Sequence, residues 1–185
     1  MANNAAQQRA SSVLSKLAGT NNPKVVEIGV FVASMSVKLL KRADLLLSMV
    51  DSWSVNHTDA YRETNDFHAK LSAQKQENYF NRSVGAVSPF QDRATVIRLD
   101  SLEAVKLFDD GELDLVFIDA DHSYEGCIAD IRAWMPKIKK GGYISGHDYE
   151  NNEGDFKFGV TRAVNEMFEY DQLEFGDNYT WFVRL

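Results

Sequence analysis

Cysteine is all but missing from this chain: Cys127 is the only one among 185 residues. That excludes a disulfide framework and any zinc site built on several thiolates, and a reducing, cytoplasmic setting is expected. Proline is scarce too, with only Pro23, Pro89 and Pro136, each placed where one secondary element should give way to another. No apolar run approaches the roughly 20 residues that span a bilayer. Met1 is followed by Ala2-Asn3-Asn4-Ala5-Ala6-Gln7-Gln8, which lacks the apolar stretch of a secretory signal. Positive charge is in deficit, since 20 Lys and Arg face 27 Asp and Glu for a net charge of −7. Nucleic acid and anionic membrane are therefore not expected partners, because both are held through a basic face that displaces counterions. Repeats, low-complexity tracts and Pro/Gly/Ser linkers are absent as well, so residues 1–185 are expected to form one domain with its own core.

What the chain does contain is alternation. After a short helix near 5–17, apolar runs at 24–29, 45–51, 94–99, 113–119 and 142–147 read as buried strands. Helical patterns at 34–42, 101–108, 124–138 and 159–170 lie between them, and 173–184 reads as a closing hairpin around Gly176-Asp177-Asn178. The segment at about 54–90 breaks the rhythm. It is rich in Asn, Gln and Lys with aromatics at Tyr61, Phe67, Tyr79 and Phe80, and predicts one long helix or two forming a substrate lid. Repeated strand–helix units with continuous apolar strands imply an α/β fold, a three-layer, doubly wound, Rossmann-like arrangement around a mostly parallel seven-stranded sheet.

Ligands of such sheets bind beyond the carboxyl ends of the strands, so the residues closing each strand carry the functional information. The first strand closes on Glu27 and Gly29, with Ser34 opening the next helix, and the second on Asp51, Ser52 and Trp53. The third closes on Asp100 and Ser101, the fourth on Asp119, Asp121 and His122, and the fifth on His147 and Asp148. A single strand-end Asp is accounted for by helix N-capping, and Asp100 suits that role. Five acidic ends on one rim repel one another unless a cation or a hydroxyl-rich ligand offsets them. Glu27-Ile28-Gly29-Val30-Phe31-Val32-Ala33 has one glycine where a dinucleotide fingerprint needs G-x-G-x-x-G, which disfavours a nicotinamide dinucleotide and favours a nucleoside without phosphates. Asp51 can accept both hydroxyls of a ribose, Trp53 either covers the adenosine or belongs to the core, and Asp100 with Ser101 is placed to bond the edge of a base.

Asp114-Leu115-Val116-Phe117-Ile118-Asp119-Ala120-Asp121-His122-Ser123-Tyr124-Glu125, then Asp130-Ile131-Arg132-Ala133-Trp134, Gly141-Gly142-Tyr143-Ile144-Ser145-Gly146-His147-Asp148-Tyr149 and Gly159-Val160 together carry a resemblance. From about Lys24 to Leu185 the chain resembles the class I S-adenosylmethionine-dependent methyltransferases, in the branch of small O-methyltransferase-like proteins. The resemblance implies strand order 3-2-1-4-5-7-6 with strand 7 antiparallel. It also implies S-adenosyl-L-methionine as cofactor, with Glu27 and Gly29 at its methionine part, Asp51 at the ribose, Asp100 and Ser101 at the adenine, and Asp119 beside the sulfonium. Related proteins carry a second glycine where this chain has Ala33, whose methyl narrows the approach to the cofactor's carboxylate.

For the chemistry, three readings of the rim stand side by side. Asp119, His147 and Asp148 could chelate Mg2+ or Mn2+ and so acidify an acceptor hydroxyl. His122 or His147 could act as general base without metal, beside Asp119. Or Asp119 and Asp121 cap the next helix, with His122 merely bonded in place. Chelating enzymes of this fold carry Asp-Asn after the fifth strand, where this chain has His147-Asp148-Tyr149. The expected activity is O-methylation of a small-molecule or glycan hydroxyl, and the alternative is a non-catalytic module or sensor that binds the nucleoside cofactor. Outer helices or the edge hairpin could build a homodimer, which the sequence leaves undecided. His57 and His68 are read as solvated surface histidines, Cys127 as a small buried residue, and Lys137, Lys139 and Lys140 as cations closing a helix.

Overall fold

The aliphatic runs become strands whose alternate residues face opposite ways. In β1 (Lys24–Ile28) Val25 packs into one apolar cluster while Val26 and Ile28 enter a second. The structure is a computed structural model that describes residues 2–55, 57–90, 92–151 and 155–185. Helix α1 (Ala2–Lys16) precedes β1; α2 (Ser36–Leu39) leads to β2 (Leu46–Val50); and α3 (Asp59–Glu63) and α4 (Ala73–Val87) lead to β3 (Ala94–Ile97). Then come α5 (Ser101–Ala104), β4 (Leu113–Ile118), α6 (Tyr124–Trp134), β5 (Ile138–Gly146), α7 (Val160–Met167), β6 (Leu173–Phe175) and β7 (Trp181–Arg184).

One seven-stranded sheet results, in the order β3-β2-β1-β4-β5-β7-β6. The first five strands run parallel, and β7 is antiparallel to both β5 and β6. Fold class, strand order and the direction of the seventh strand agree with the expectation. Helices cover both faces: α1 and α2, with Val87 of α4, pack on Val25, Leu47, Met49, Leu115, Phe117 and Phe182, while α6 and α7 pack on Val26, Ile28, Val116, Ile118, Ile144 and Trp181. Among the described residues no helix is long and apolar enough to cross a membrane.

The helices are shorter than the sequence pattern implied. The stretch expected at 34–42 is helical only over Ser36–Leu39, and 101–108 and 124–138 each finish in a 3-10 turn. Within the expected insert at 54–90, residue 56 lies outside the described residues. The rest forms two α-helices, each opened by a hydroxyl cap, Thr58 to the N–H of Tyr61 and Ser72 to the N–H of Lys75. Between them runs a turn that includes a 3-10 helix (His68–Lys70). Ser83 on α4 donates to the Phe31 carbonyl at 3.0 Å, which ties the insert to the loop after β1.

Candidate active site

Just past the paired carboxyl ends of β1 and β4 the backbones come very close. A methyl on Gly29 would lie 1.9 Å from the Asp119 carbonyl oxygen, and Gly29 itself has φ +84°. Only glycine fits there. Beyond this point a cavity of about 760 Å³ opens, lined by Glu27, Gly29, Ser34, Asp51, Ser52, Asp100, Ser101, Asp119, His122, His147 and Asp148. The acidic ends of all five parallel strands therefore share one space, as the sequence implied. Trp53 is the exception among the expected site residues. It is 2% exposed and off the cavity wall, its indole donating to the Phe31 carbonyl and its ring set edge-on to Phe80.

Asp51 spends most of its hydrogen-bonding capacity on the chain. Its Oδ2 accepts from the N–H groups of Val30 (2.9 Å) and Phe31 (3.0 Å), and its Oδ1 from that of Trp53 (2.8 Å). A carboxylate oxygen accepts two bonds, so one acceptor site remains on Oδ1. Burial raises the Asp51 carboxyl above its ordinary value against the pull of these three donors. Asp51 thus holds the loop after β1 in its shape as well as facing the cavity.

Glu27, 3% exposed, accepts from the Ser36 hydroxyl. Burial pushes its carboxyl up to about 8, with the Ser36 bond and the charge of Arg9 pulling the other way. At the opposite end of the wall Asp100 accepts from the Leu102 N–H at 3.0 Å, which is the capping role, while facing the cavity. Ser101 accepts from the Trp134 indole at 2.8 Å and supports Asp130, whose carboxyl burial raises to about 7.

The fourth and fifth strand ends meet in an ionic cluster. His122 Nε2 lies 3.3 Å from Asp119 Oδ1 and 2.9 Å from Asp148 Oδ2, and His147 Nδ1 lies 3.3 and 2.9 Å from the same two oxygens. Burial opposes charge on both rings, yet the surrounding carboxylates prevail: His122 is held well above the ordinary histidine value and His147 at about 9. Asp119 and Asp148 are held below the usual carboxylate range, burial being outweighed by the two imidazoles. Asp148 adopts φ +62°, a left-handed strain typical of functional positions. The donor atoms of Asp119, His122 and Asp148 all lie within 4.8 Å of one another. His147, expected among the metal ligands, lies outside that group: its Nδ1 faces the same two carboxylates, while its Nε2, on the far side of the ring, is 3.4 Å from the Arg9 guanidinium.

Two participants had no signal in the sequence, and two more were expected elsewhere. Asp66, 2% exposed on the turn after α3, lies 2.7 Å from His122 Nδ1 and 3.0 Å from His68 Nδ1, and accepts from the Tyr61 hydroxyl at 2.9 Å. Hydrogen bonds from His122 and His68 hold it below the ordinary range despite burial. Arg9 of α1 reaches Asn178 at 3.1 Å and comes within 4.0 Å of Asp119. His57 and His68 were expected in solvent, but both line the cavity, because the insert folds over the rim instead of projecting from it.

Residues 26–149, well over half the chain, match a family described as a methyltransferase domain. No curated protein matches the chain by sequence. Among solved structures, the O-methyltransferase NovP superposes with TM-score 0.65 at 14% identity, covering 96% of this chain and 78% of its own. A TDP-rhamnose 3'-O-methyltransferase of calicheamicin biosynthesis gives TM-score 0.62 at 14% identity, over 96% of this chain and 77% of its own. Spermidine synthase from Thermotoga maritima gives 0.56 at 16%, over 96% and 60%. At these identities the likeness establishes the fold, and the synthase among them shows that the fold alone does not fix the reaction.

Proposed function

The chain belongs to the methyltransferase-domain family, and from that premise we propose that it moves the methyl group of S-adenosylmethionine to a hydroxyl of a small molecule, with a divalent cation at the rim. The observation that carries the reading is that Glu27, Asp51, Asp119 and Asp148, from four strand ends, face one cavity. The wall suits a cofactor bearing cationic groups and a ribose. Glu27 is a buried acid that ionises readily only when a cation faces it, and Asp51 retains one acceptor for a ribose hydroxyl.

The donor set at Asp119, His122 and Asp148 also suits a cation. Separations of 2.9 and 3.3 Å are those of neighbouring ligands held at roughly 2.0–2.2 Å from one ion, and mixed carboxylate and imidazole donors favour Mn2+ or Mg2+. When bound, such an ion lowers the acceptor hydroxyl's pKa. The chain's own residues do the remainder. Methyl transfer forms a C–O bond as the C–S bond breaks and leaves one proton to be removed. His122 and His147 are held as imidazoliums in the free cluster. His122 gives up its proton when it joins Asp119 and Asp148 around a cation, and the hold on the one at His147 weakens. That leaves His147, outside that donor set, as the imidazole placed to take the acceptor's proton. Asp119 and Asp148 orient the His147 ring, and the insert lies over the rim to keep water out.

The test is calorimetry with S-adenosylhomocysteine and Mn2+ on the parent, Asp119→Ala and Asp148→Ala, beside turnover with a panel of hydroxyl acceptors. The reading expects cofactor binding in all three proteins, with cation binding and turnover only in the parent. A parent that does not bind the cofactor refutes it. Tight cofactor binding with no turnover on any acceptor would favour a cofactor-binding sensor, and cofactor and acceptor binding indifferent to Mg2+ and Mn2+ would remove the cation.

A further inference from the structure

Two separate segments build the outer mouth of the cavity, and both present phenyl rings. The turn after α3 carries Phe67 and the loop before α7 carries Phe156, which are 53% and 41% exposed and line the cavity. The segments are bonded to each other, Asn65 Nδ2 to the Asp155 carbonyl at 3.0 Å and the Lys157 N–H to the Thr64 carbonyl at 2.8 Å, so the rings sit on a joined collar. Phe156 stacks on Phe158 (4.6 Å, 14°), and Phe158 stacks on His122 (4.5 Å, 25°). A column of flat faces therefore runs from solvent to the imidazole beside Asp119 and Asp148. Exposed apolar rings grouped at a cavity mouth mark a binding surface.

The charge of the wall restricts what those rings can receive. Nine carboxyl side chains line the cavity, and among the described residues Arg9 is the one arginine or lysine on it. Arg9 is already directed at Asn178 and Asp119. With Glu27 and Asp130 protonated, seven carboxylates remain, and they outnumber the positive charges even when an imidazolium at His147 is counted beside Arg9, a cofactor of single net positive charge and a divalent ion. A phosphate or carboxylate on the acceptor would meet repulsion, because Arg9, His122 and His147 are already engaged with Asp119, Asp148 and Asp66.

We propose that the acceptor is a hydroxylated ring compound, neutral or cationic, that lays an apolar face against Phe67 and Phe156 and carries no phosphate or carboxylate. This rests on the function proposed above and narrows it to a substrate class. Phenols and unphosphorylated glycosides share the required chemistry, a flat apolar face with adjacent hydroxyls. Nucleotide-activated sugars and coenzyme A thioesters do not.

The experiment uses the full chain loaded with S-adenosylhomocysteine and Mn2+, titrated with catechol, dopamine, protocatechuate, methyl glucoside and glucose phosphate. Catechol and dopamine, or methyl glucoside, should bind at least about tenfold more tightly than the anionic analogue of the same ring, and which pair responds decides between phenol and sugar. Phe67→Ala and Phe156→Ala should each weaken that ligand by about 2- to 10-fold while leaving S-adenosylhomocysteine affinity unchanged. Equal or tighter binding of the anionic members, indifference to both Phe substitutions, or no binding by any of the five overturns the proposal. Since cofactor loading is measured first, failure of the methyltransferase reading is seen separately, as a parent that does not take up S-adenosylhomocysteine.

Discussion

Gly29 and Glu27 stand two residues apart and answer to different demands. The resemblance places Gly29 at the methionine part of the cofactor, and the structure adds a second demand on it, the close approach of the Asp119 carbonyl. Gly29→Ala should cost at least about 3 kcal/mol, from a clash that only strand separation relieves together with a strained φ. Urea unfolding checks this, and an alanine variant as stable as the parent would show that β1 and β4 do not meet as described. Glu27 was legible as a site residue, but its protonation was not, because desolvation depends on neighbours distant in the chain. Its carboxyl titrates near 8 when folded and near 4.5 otherwise, so between those values the folded state binds the extra proton. Glu27 therefore withdraws stability as pH rises from about 4.5 to about 8, and adds no further slope above that. Glu27→Gln should flatten this slope in unfolding measured across the interval. Cofactor binding at neutral pH should release about one proton from the parent and none from Glu27→Gln, read by calorimetry in buffers of different ionisation heat.

Among the elements, the strands and the two helices of the insert were readable, but the way the insert is held over the rim was not. Strand positions follow from local aliphatic runs, which every strand end of the rim then inherits. The insert has little apolar periodicity, and its turn between α3 and α4 is fixed by Asp66, whose partners His122 and Tyr61 are 56 and 5 residues away. One residue thus anchors the turn between α3 and α4 and orients the ring that faces Asp119 and Asp148. Asp66→Asn should weaken Mn2+ binding by about 10- to 100-fold, the effect of losing the partner of a ligating histidine. Amide exchange should quicken across 58–70 while the strands keep their protection. Unchanged Mn2+ affinity alongside faster exchange would confine Asp66 to holding the insert.

Taken as a whole, the molecule brings its beginning and its end to the same rim. Helix α1, with Leu17 just after it, buries Ala6, Ala10, Val13 and Leu17 against the sheet and delivers Arg9, which meets Asn178 from the turn before β7. The apolar stripe of α1 was visible in the sequence at Val13 and Leu17, but nothing local marked Arg9, since its partners lie more than a hundred residues on. Burial of each large aliphatic side chain contributes about 1.5–3 kcal/mol, and the sheet face beneath α1 would be uncovered as well. That approaches the whole margin of a domain of this size, so removing residues 1–17 should abolish cooperative thermal unfolding as followed by circular dichroism. A sharp transition retained by the shortened chain would show α1 to be an accessory.

Cys127, 2% exposed on α6 with its thiol pushed up to about 12 by burial, has a practical consequence. Maleimide and nitroxide reagents need a reachable thiolate, and this chain offers them none of its own. A cysteine introduced at an exposed collar position such as Lys157 would be the sole attachment point for a fluorophore or spin probe. Opening of the mouth could then be timed in the otherwise unaltered protein.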